Sequence, residues 1–376
     1  MNPSKPDELQ GRLLAWFAEH ARDLPWRRTR DPYQVLVAEI MLQQTQVERV
    51  IPKYLAFLAA FPTLEALAAA PTAEVIRLWT GLGYNRRAVN LQRAARAVLE
   101  EHGGRFPREV EALRRLPGVG PYTAGAVACF AFEQDVAFMD TNIRRVLRRA
   151  LFGPEEDAPA PSERELLAAG QRLVPAGQGW AWNQAIMELG ALVCTAAAPA
   201  CRRCPLRAHC RAYAAWVAMD EALMLAMGGG GLDREGSLDR EKRDNIVREK
   251  REGESVKREG EKRESEIREY TKARKGEGSS GRAGSVAARG AARRVAERKA
   301  GYRPEEPYRG SRRWYRGRVV EALRALPDHA TLPLAELGAA VKPGYAAEDE
   351  PWLRELLAGL ARDGLVTLEG DGARLP

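Results

Sequence analysis

The order of apolar and polar residues predicts a succession of short helices over the first 220 residues. Within each segment the apolar residues recur at helical spacing, and turns marked by proline or glycine separate one segment from the next. The predicted helices span 9–22, 32–58 with an interruption near Pro52, 64–70, 72–80, 86–102, 107–115, 122–132 and 143–151. No convincing alternation of apolar and polar residues appears before residue 220, so this part is expected to be all-α.

The pattern changes after Met227, where about seventy residues consist mostly of Arg, Lys, Glu, Gly and Ser. Such a tract cannot bury enough apolar surface to offset its ordering entropy, so we interpret 221–307 as a disordered, charged linker. A solvated run of charges is favoured over a weak DNA tether.

Helical periodicity resumes near Tyr308. The predicted elements are helices over 314–326, 334–341 and 352–361, and a strand, a turn and a second strand over 364–375. Three helices followed by a hairpin indicate a small winged-helix-like α+β domain at 308–376. Its third helix is not markedly basic, so contact with another protein and binding in a DNA groove stay equally open, and the partner is unknown.

Composition and charge narrow the functional class only slightly. Among 376 residues, 59 Lys and Arg against 51 Asp and Glu give a net charge of +8, which weakly favours a polyanionic partner. No apolar run has membrane-spanning length, and the N-terminus lacks the apolar core of a signal peptide. A cytoplasmic protein with no membrane partner is expected.

A glycine-rich turn at 116–125 carries the first chemical signal. Gly118 and Gly120 flank Val119 between two predicted helices, and Pro121 suits the first turn of the second helix. Both glycines are expected to tolerate positive φ and to let another backbone come close. The free N–H groups of such a turn can bind one phosphate, as in helix-hairpin-helix DNA-binding motifs. Taken alone, the motif fits an ordinary packing corner equally well.

Two carboxylates indicate cleavage of a glycosidic bond. Glu39 lies within an apolar helical stretch, where desolvation raises the pKa of a carboxyl. Asp140 precedes a predicted helix, and as its N-cap it is expected to have a lowered pKa. A proton donor opposite a charged carboxylate is the arrangement that this reaction uses. A surface glutamate and a purely structural N-cap are the alternatives.

Four of the five cysteines crowd into seventeen residues with the spacing C-x6-C-x2-C-x5-C. They are Cys194, Cys201, Cys204 and Cys210. In a reducing compartment this spacing indicates metal ligands, and four thiolates hold either zinc or an iron–sulfur cluster. Spacing and charge do not decide between the two.

Together these motifs resemble the helix-hairpin-helix DNA glycosylases, most closely the MutY family of adenine glycosylases. The resemblance covers 1–220 and rests on LPWRRTRDPYQVLVAEIMLQQTQVERVIPKY, LWTGLGYNRRAVNL, LPGVGPYTAGA, MDTNIRRVL, WNQAIMELGALVC and the four cysteines, in this order. It implies two helical lobes, 30–135 and 1–29 with 136–220, and an iron–sulfur loop at 194–210 that holds a [4Fe–4S] cluster. The hairpin would bind DNA phosphate through a monovalent cation.

The resemblance also implies roles for individual residues. Glu39 would protonate the adenine leaving group at N7 and later manage the attacking water, and Asp140 would stabilise or trap the sugar cation. Tyr122 and Asn142 would hydrogen-bond around Asp140 and the sugar. The pocket for a flipped adenine would be lined by Leu24, Trp26, Arg27 and Gln184. The residues that wedge into the duplex and contact the opposite guanine would be Gln44, Thr45, Leu82 and Tyr84.

The implied activity is that of a monomeric base-excision glycosylase, acting on double-stranded DNA in the nucleoid and removing adenine mispaired with 8-oxoguanine or guanine. Tyr122 stands where related endonucleases of this fold carry a lysine, so no Schiff base can form and an abasic site is the expected product.

The chain departs from the family at Thr141, where glycine is usual, and in 221–376, which does not resemble the family's MutT-like domain. The alternatives are a thymine or uracil glycosylase acting opposite guanine and a non-catalytic DNA-binding protein.

Overall fold

A computed structural model of the chain describes residues 6–154, 160–226 and 308–376. Of these, the residues up to Met219 and the C-terminal residues belong to one compact unit. The expected linker lies outside the described residues, except for 221–226, which form the end of a helix that runs to Ala226.

The described residues up to 226 are helical and contain no strand. The helices are α1 Pro6–His20, α2 Pro32–Leu42, α3 Val47–Ala60, α4 Leu64–Ala69, α5 Thr72–Leu78, α6 Arg86–His102, α7 Val110–Leu113, α8 Pro121–Phe132, α9 Thr141–Leu147, α10 Glu163–Gln171, α11 Gly179–Leu192 and α12 Arg211–Ala226. A π-helical turn over Arg148–Phe152 continues α9. Of the helices in the described ranges, none combines the length and the apolar character that crossing a bilayer requires.

The predicted helix over 32–58 is two helices, and its break lies before Pro52 rather than at it. Asp31 caps α2 by accepting a hydrogen bond from the backbone N–H of Tyr33 at 2.8 Å. The helix stops at Leu42 because Gln44 adopts a left-handed conformation with φ of 54°, and α3 then begins at Val47. Pro52 lies within α3 and has no N–H to donate to the preceding turn. Because Pro52 is exposed, water can reach the backbone carbonyl that lacks this hydrogen bond.

The C-terminal residues 308–376, here called the C-terminal module, contain three helices and a small sheet. In chain order the elements are α13 Arg312–Arg324, β1 Leu332–Pro333, α14 Leu334–Val341, α15 Glu350–Arg362, β2 Thr367–Glu369 and β3 Gly372–Arg374. The sheet is antiparallel in the order β1-β3-β2, with Leu332 and Leu368 both opposite Ala373. The sequence pattern misses β1, because two residues are too few to show an alternation.

The apolar side chains form two clusters. The larger one fills the helical part and includes Phe57, Trp79 and Trp182. The smaller one fills the C-terminal module, and it also takes in Ile76 from α5 and Val89 from α6. The module therefore packs directly on these two helices.

Polar contacts reinforce this docking. The Arg324 guanidinium donates to the carbonyl of Ile76 at 3.1 Å and to the Asn85 side chain at 2.8 Å. Arg77 reaches the other way and pairs with Asp328. The backbone N–H of Ala73 donates to the carbonyl of the last residue, Pro376, at 3.0 Å.

Candidate active site

Glu39 lies in the core of the helical part. Helix α2 is buried over most of its surface, so its single carboxylate is carried inside, and only 3% of Glu39 stays exposed. One carboxyl oxygen, Oε2, is fully buried and has no hydrogen-bond partner in the described structure. Burial raises the pKa of Glu39 to about 7; a hydrogen bond from Tyr122 opposes this rise and the charge of Asp140 adds to it. Glu39 can therefore hold a proton near neutral pH.

Tyr122 places its hydroxyl on this carboxyl. It is the second residue of α8, and its ring packs edge-on against Phe138 with 5.4 Å between ring centroids. Phe138 fits there because Gly125 has no side chain: a Cβ on Gly125 would lie 2.6 Å from the Cβ of Phe138. Burial raises the pKa of Tyr122 well above its usual value, so the phenol is a neutral donor to Glu39.

Asp140 is the N-cap of α9, as the sequence predicts. Its carboxylate accepts a hydrogen bond from the backbone N–H of Ile143 at 2.6 Å and one from the Asn142 side chain at 3.3 Å. Asn142 is held in turn by Arg145, which donates to its amide oxygen at 2.8 Å. Helix α11 approaches so closely that a Cβ on Gly190 would lie 2.7 Å from the Cβ of Asn142.

The expectation of a lowered pKa for Asp140 is wrong. Burial raises the pKa of Asp140, and this effect outweighs the hydrogen bonds from Ile143 and Asn142 and the charge of Arg145. The negative charge of Asp140 in turn raises the pKa of Glu39. Both pKa values are therefore raised, and the expected split into one raised and one lowered acid is not found. The structure brings Glu39, Tyr122 and Asp140 together.

The expected base pocket is built on a buried ion pair that the sequence interpretation overlooks. Arg27 donates to the Gln184 side chain at 2.8 Å and to the Glu188 carboxylate at 2.8 Å. Arg22 donates to the same carboxylate at 2.8 Å. Although burial opposes ionisation, the hydrogen bonds from Arg22 and Arg27 lower the pKa of Glu188 to about 2. Glu188 thus fixes the arginine that orients Gln184, and its position in an apolar helical stretch is the signal that could have identified it.

Two further residues expected in the pocket belong to the core. Leu24 is 5% exposed and Trp26 is 8% exposed. Trp26 packs edge-on against Tyr54 with 5.6 Å between ring centroids. Both residues belong to the segment that ends in Arg27, and the short helix over 25–27 contacts α2. They therefore position Arg27 against the helix that carries Glu39.

The four residues expected to probe the duplex lie on two neighbouring loops that Arg87 joins. Arg87 lies on α6, and its guanidinium donates to the carbonyl of Gln43 at 2.6 Å, to the carbonyl of Leu82 at 2.9 Å and to the Thr45 hydroxyl at 3.2 Å. It also lies 5.6 Å from the ring centroid of Tyr84. Burial lowers the pKa of Arg87 to about 10.

The exposure of these loop residues differs. Leu82 is buried, whereas Tyr84 keeps 44% of its surface exposed. Gln44 and Tyr84 both have positive φ, at 54° and 45°. The two loops therefore present a fixed surface whose conformation depends on a residue that the sequence interpretation did not single out.

The hairpin turn joins α7 and α8 with Val119 buried and both glycines exposed. Gly118 has φ of 77°, as expected, and a Cβ there would lie 2.7 Å from the Cβ of Asn90. Gly120 does not use its tolerance of positive φ: with φ of −88° and ψ of 179° it is extended, as the N-cap of α8.

The four clustered cysteines line one pocket, together with Arg149 and Arg207. Among the described residues, no three His, Cys, Asp or Glu side chains form a site for a single metal ion. The thiols are not in disulfides. Four sulfur donors around one pocket fit an iron–sulfur group.

Two arginines, one on α9 and one on the π-helical turn that continues it, contact the loop of this pocket. Arg145 donates to the carbonyl of Cys194 at 2.6 Å and to that of Gly190 at 2.7 Å. Arg149 donates to the carbonyl of Thr195 at 2.7 Å and lies 3.7 Å from the sulfur of Cys194. Because Arg145 also holds Asn142, a continuous set of hydrogen bonds runs from the cysteine loop to Asp140.

Comparison with known proteins agrees with this geometry. Residues 37–172 match the HhH-GPD superfamily of base excision DNA repair proteins. The chain is 49% identical over 200 residues to an adenine DNA glycosylase of Mycolicibacterium smegmatis, a match that covers 53% of this chain and 67% of the relative. It is 45% identical over 213 residues to the human adenine DNA glycosylase, covering 54% of this chain and 39% of that protein.

A solved thermostable thymine-DNA glycosylase is 33% identical, with a TM-score of 0.52, over 56% of this chain and 97% of that one. All three matches cover little more than half of this chain, and the human relative is matched over less than half of its length. The family is nevertheless established by the match to the mycolicibacterial protein. The chain belongs to the HhH-GPD superfamily of base excision DNA repair proteins, among the MutY-like adenine DNA glycosylases.

Proposed function

We propose that this protein hydrolyses the N-glycosidic bond of adenine mispaired with 8-oxoguanine or guanine in double-stranded DNA and leaves an abasic site. One observation carries the proposal: a buried carboxyl oxygen of Glu39 has no partner, and Asp140 lies close enough for its charge to raise the pKa of Glu39. An unsatisfied buried oxygen costs about 1–3 kcal/mol, so its retention is consistent with a ligand group that completes it. The sequence identity to adenine DNA glycosylases supports adenine as the base that is removed.

The two carboxyls would divide the work as follows. Protonated Glu39 donates its proton to N7 of the flipped adenine, and the bond between C1′ and the base then breaks with both electrons leaving on adenine. The sugar becomes an oxocarbenium-like cation, which the Asp140 carboxylate stabilises. Glu39, now ionised, takes a proton from the water that attacks C1′. Proton transfer of this kind contributes about 10²–10⁴-fold to a rate.

Tyr122 and Asn142 would hold the two acids in place. The Tyr122 hydroxyl is engaged with Glu39, and Asn142 donates to Asp140. A phenol cannot form an imine with the sugar, so the enzyme is monofunctional and does not cut the strand through a Schiff base.

Recognition of the mispair would use the remaining groups around the two acids. Arg27 orients Gln184 toward the base, with Leu24 and Trp26 as the wall behind it. The loops with Gln44, Thr45, Leu82 and Tyr84 would occupy the gap that flipping leaves and contact the opposite guanine. Unstacking costs a few kcal/mol and is least at a mispair, which contributes selectivity.

The hairpin at Gly118 and Gly120 would hold a DNA phosphate, with a monovalent cation bridging backbone and phosphate. The exposed position of both glycines and the anchoring of Val119 in the core support this assignment. A monomer is sufficient for these contacts, and chromosomal DNA as substrate makes the protein nucleoid-associated.

Cys194, Cys201, Cys204 and Cys210 would hold a [4Fe–4S] cluster. Their arrangement around one pocket and the cations of Arg149 and Arg207 support it, because a cluster with four thiolate ligands carries negative charge. The chain's own residues hold the loop in place, through Arg145 and Arg149.

For the domain organisation we propose three parts: a glycosylase domain at 1–220, a linker at 221–307 and a winged-helix-like domain at 308–376. Three helices with a three-stranded antiparallel sheet support the last assignment. Two lobes, 30–135 and 1–29 with 136–220, would enclose the flipped base.

The test uses three labelled duplexes, with adenine opposite 8-oxoguanine, adenine opposite guanine and thymine opposite guanine, followed by alkaline cleavage of abasic sites. We expect release of adenine from the first two, and E39Q serves as the inactive control that still binds DNA. Cutting of the thymine duplex alone would overturn the adenine assignment. Absence of cutting by iron-replete protein, with duplex binding retained, would support a non-catalytic DNA-binding protein.

Removal of thymine opposite guanine is the second candidate. The similarity to the thermostable thymine-DNA glycosylase favours this activity. That similarity is weaker, because the sequence identity is 33% against 49% for the adenine DNA glycosylase over a similar share of the chain. The same three duplexes distinguish the two activities.

A further inference from the structure

Tyr84 and Arg313 meet where the C-terminal module packs on the helical part. The Arg313 guanidinium lies 4.3 Å from the centroid of the Tyr84 ring and donates to its hydroxyl. Arg87 lies 5.6 Å from the same ring. The exposed tyrosine of the duplex-probing loop is thus held between one arginine from each part of the chain.

Arg313 is exposed and, among the described residues, has no carboxylate partner. Basic residues elsewhere in the module are mostly paired with acids. The pairs are Arg312 with Glu355, Arg316 with Asp363, Arg324 with Glu321, Lys342 with Asp349, Arg354 with Glu350 and Asp371, and Arg374 with Glu369. The charge of Arg313 is therefore available to an anion from outside the chain.

The position of Arg313 is fixed by the docking of its helix. Arg324, at the other end of α13, donates to Ile76 and Asn85. Val319 and Leu323, between the two arginines, belong to the apolar cluster that includes Ile76 and Val89. A guanidinium held in this way loses little conformational entropy on binding a ligand.

We propose that Arg313 binds a backbone phosphate of the DNA duplex beside Tyr84, so that the C-terminal module is part of the DNA-binding surface. A guanidinium is suited to phosphate because its planar N–H groups bind two oxygens at once. Such a contact positions the duplex without reading its sequence. This proposal rests on the proposed function and assigns DNA as the partner of the C-terminal module.

The test measures how the affinity of the full-length protein for an undamaged, fully paired duplex depends on salt. Each phosphate contact contributes about 0.9 to the slope of log affinity against log salt concentration. For R313Q we expect a slope smaller by about 0.9, so the affinity advantage of the wild type over R313Q shrinks about 3.5-fold between 50 and 200 mM KCl. R313K keeps the charge and should retain the wild-type slope.

R354Q is the matched control. Arg354 is an arginine of the same module, but Glu350 and Asp371 already neutralise it. Its replacement should leave the slope and the release of adenine at wild-type values. Equal slopes for R313Q and the wild type, or equal reductions in R313Q and R354Q, would overturn the phosphate contact. If R313Q keeps the wild-type affinity for the duplex but loses binding to an acidic protein, the phosphate contact is overturned in favour of a protein partner.

The outcomes separate this proposal from the proposed function. If the wild type releases no adenine while R313Q still reduces the salt slope, the adenine activity fails and the phosphate contact stands. If the wild type releases adenine while R313Q has the wild-type slope, only the contact fails.

Discussion

Replacing Glu39 by glutamine should abolish base release and at the same time stabilise the fold at high pH. In the folded state the pKa of Glu39 is raised from 4.5 to about 7 by burial. The folded protein therefore holds this proton more tightly than the unfolded chain does. The stabilisation that the proton on Glu39 provides is fully present below pH 4.5. It is lost as pH rises through about 7, where the buried carboxyl must ionise.

The size of the effect follows from the two pKa values. A shift from 4.5 to about 7 corresponds to about 3 kcal/mol at 1.36 kcal/mol per unit. Roughly a quarter of this stabilisation is already lost at pH 5 and nearly all of it at pH 8.5. E39Q stays neutral at both pH values, so its stability relative to the wild type should rise by about 2–3 kcal/mol between them. For a compact unit of this size that is roughly 3–5 °C in Tm.

Glu188 supplies the control, because it is also a buried glutamate on an apolar helix but has a lowered pKa. Its contribution to stability is present above its unfolded pKa and is lost as pH falls toward about 2. E188Q leaves Arg22 and Arg27 without their carboxylate and should destabilise the fold at neutral pH by roughly 3 kcal/mol.

The assay is thermal unfolding of wild type, E39Q and E188Q at pH 5, 7 and 8.5, paired with single-turnover release of adenine at the same pH values. The rate of the wild type should fall as pH rises through about 7, because only protonated Glu39 can donate. A Tm difference between E39Q and wild type that does not change with pH would refute the assignment of a proton to Glu39. Near-normal turnover of E39Q would refute its role as the acid.

Further substitutions test the neighbouring contacts. Tyr122→Lys should gain strand cleavage through an imine that borohydride traps, whereas Y122F should not; a lysine variant that is never trapped would show that this position does not face the sugar. Gly190→Ala should displace Asn142 from Asp140 and lower the single-turnover rate at least tenfold, since its Cβ would lie 2.7 Å from the Cβ of Asn142; an unchanged rate would remove Asn142 from the site. Arg87→Lys should release the loops and lower affinity for a mispaired duplex more than for a paired one, as binding titrations would measure; equal losses on both duplexes would contradict this.

The helices up to residue 151 can be predicted because each has its own apolar period and its own stop signal, whereas α10, α11 and α12 have no individual prediction. Glu39 was identifiable for the same reason: a lone acid in an apolar helix is visible in the sequence. Glu188 carries the same signal. The sequence pattern places the break near Pro52 and not after Leu42, because proline is the stronger local signal and the left-handed Gln44 has no signature.

Other features depend on contacts between distant segments. The pKa of Asp140 rises because other helices bury it, and an N-cap pattern contains no information on that burial. The docking of the C-terminal module uses Ile76 and Val89, which look like ordinary core positions of α5 and α6. The roles of Arg87 and Arg313 were hidden because each is one arginine among many, and only the fold shows which partners each one has.

Hydrogen bonds run from Cys194 through Arg145 and Asn142 to Asp140 and connect the cysteine loop to one of the two proposed catalytic carboxyls. If the four cysteines hold the proposed iron–sulfur cluster, its loss would leave Arg145 with Gly190 as its anchor on that side and would loosen the position of Asn142. Under that proposal, starvation for iron should lower the rate of base release more than the affinity for DNA.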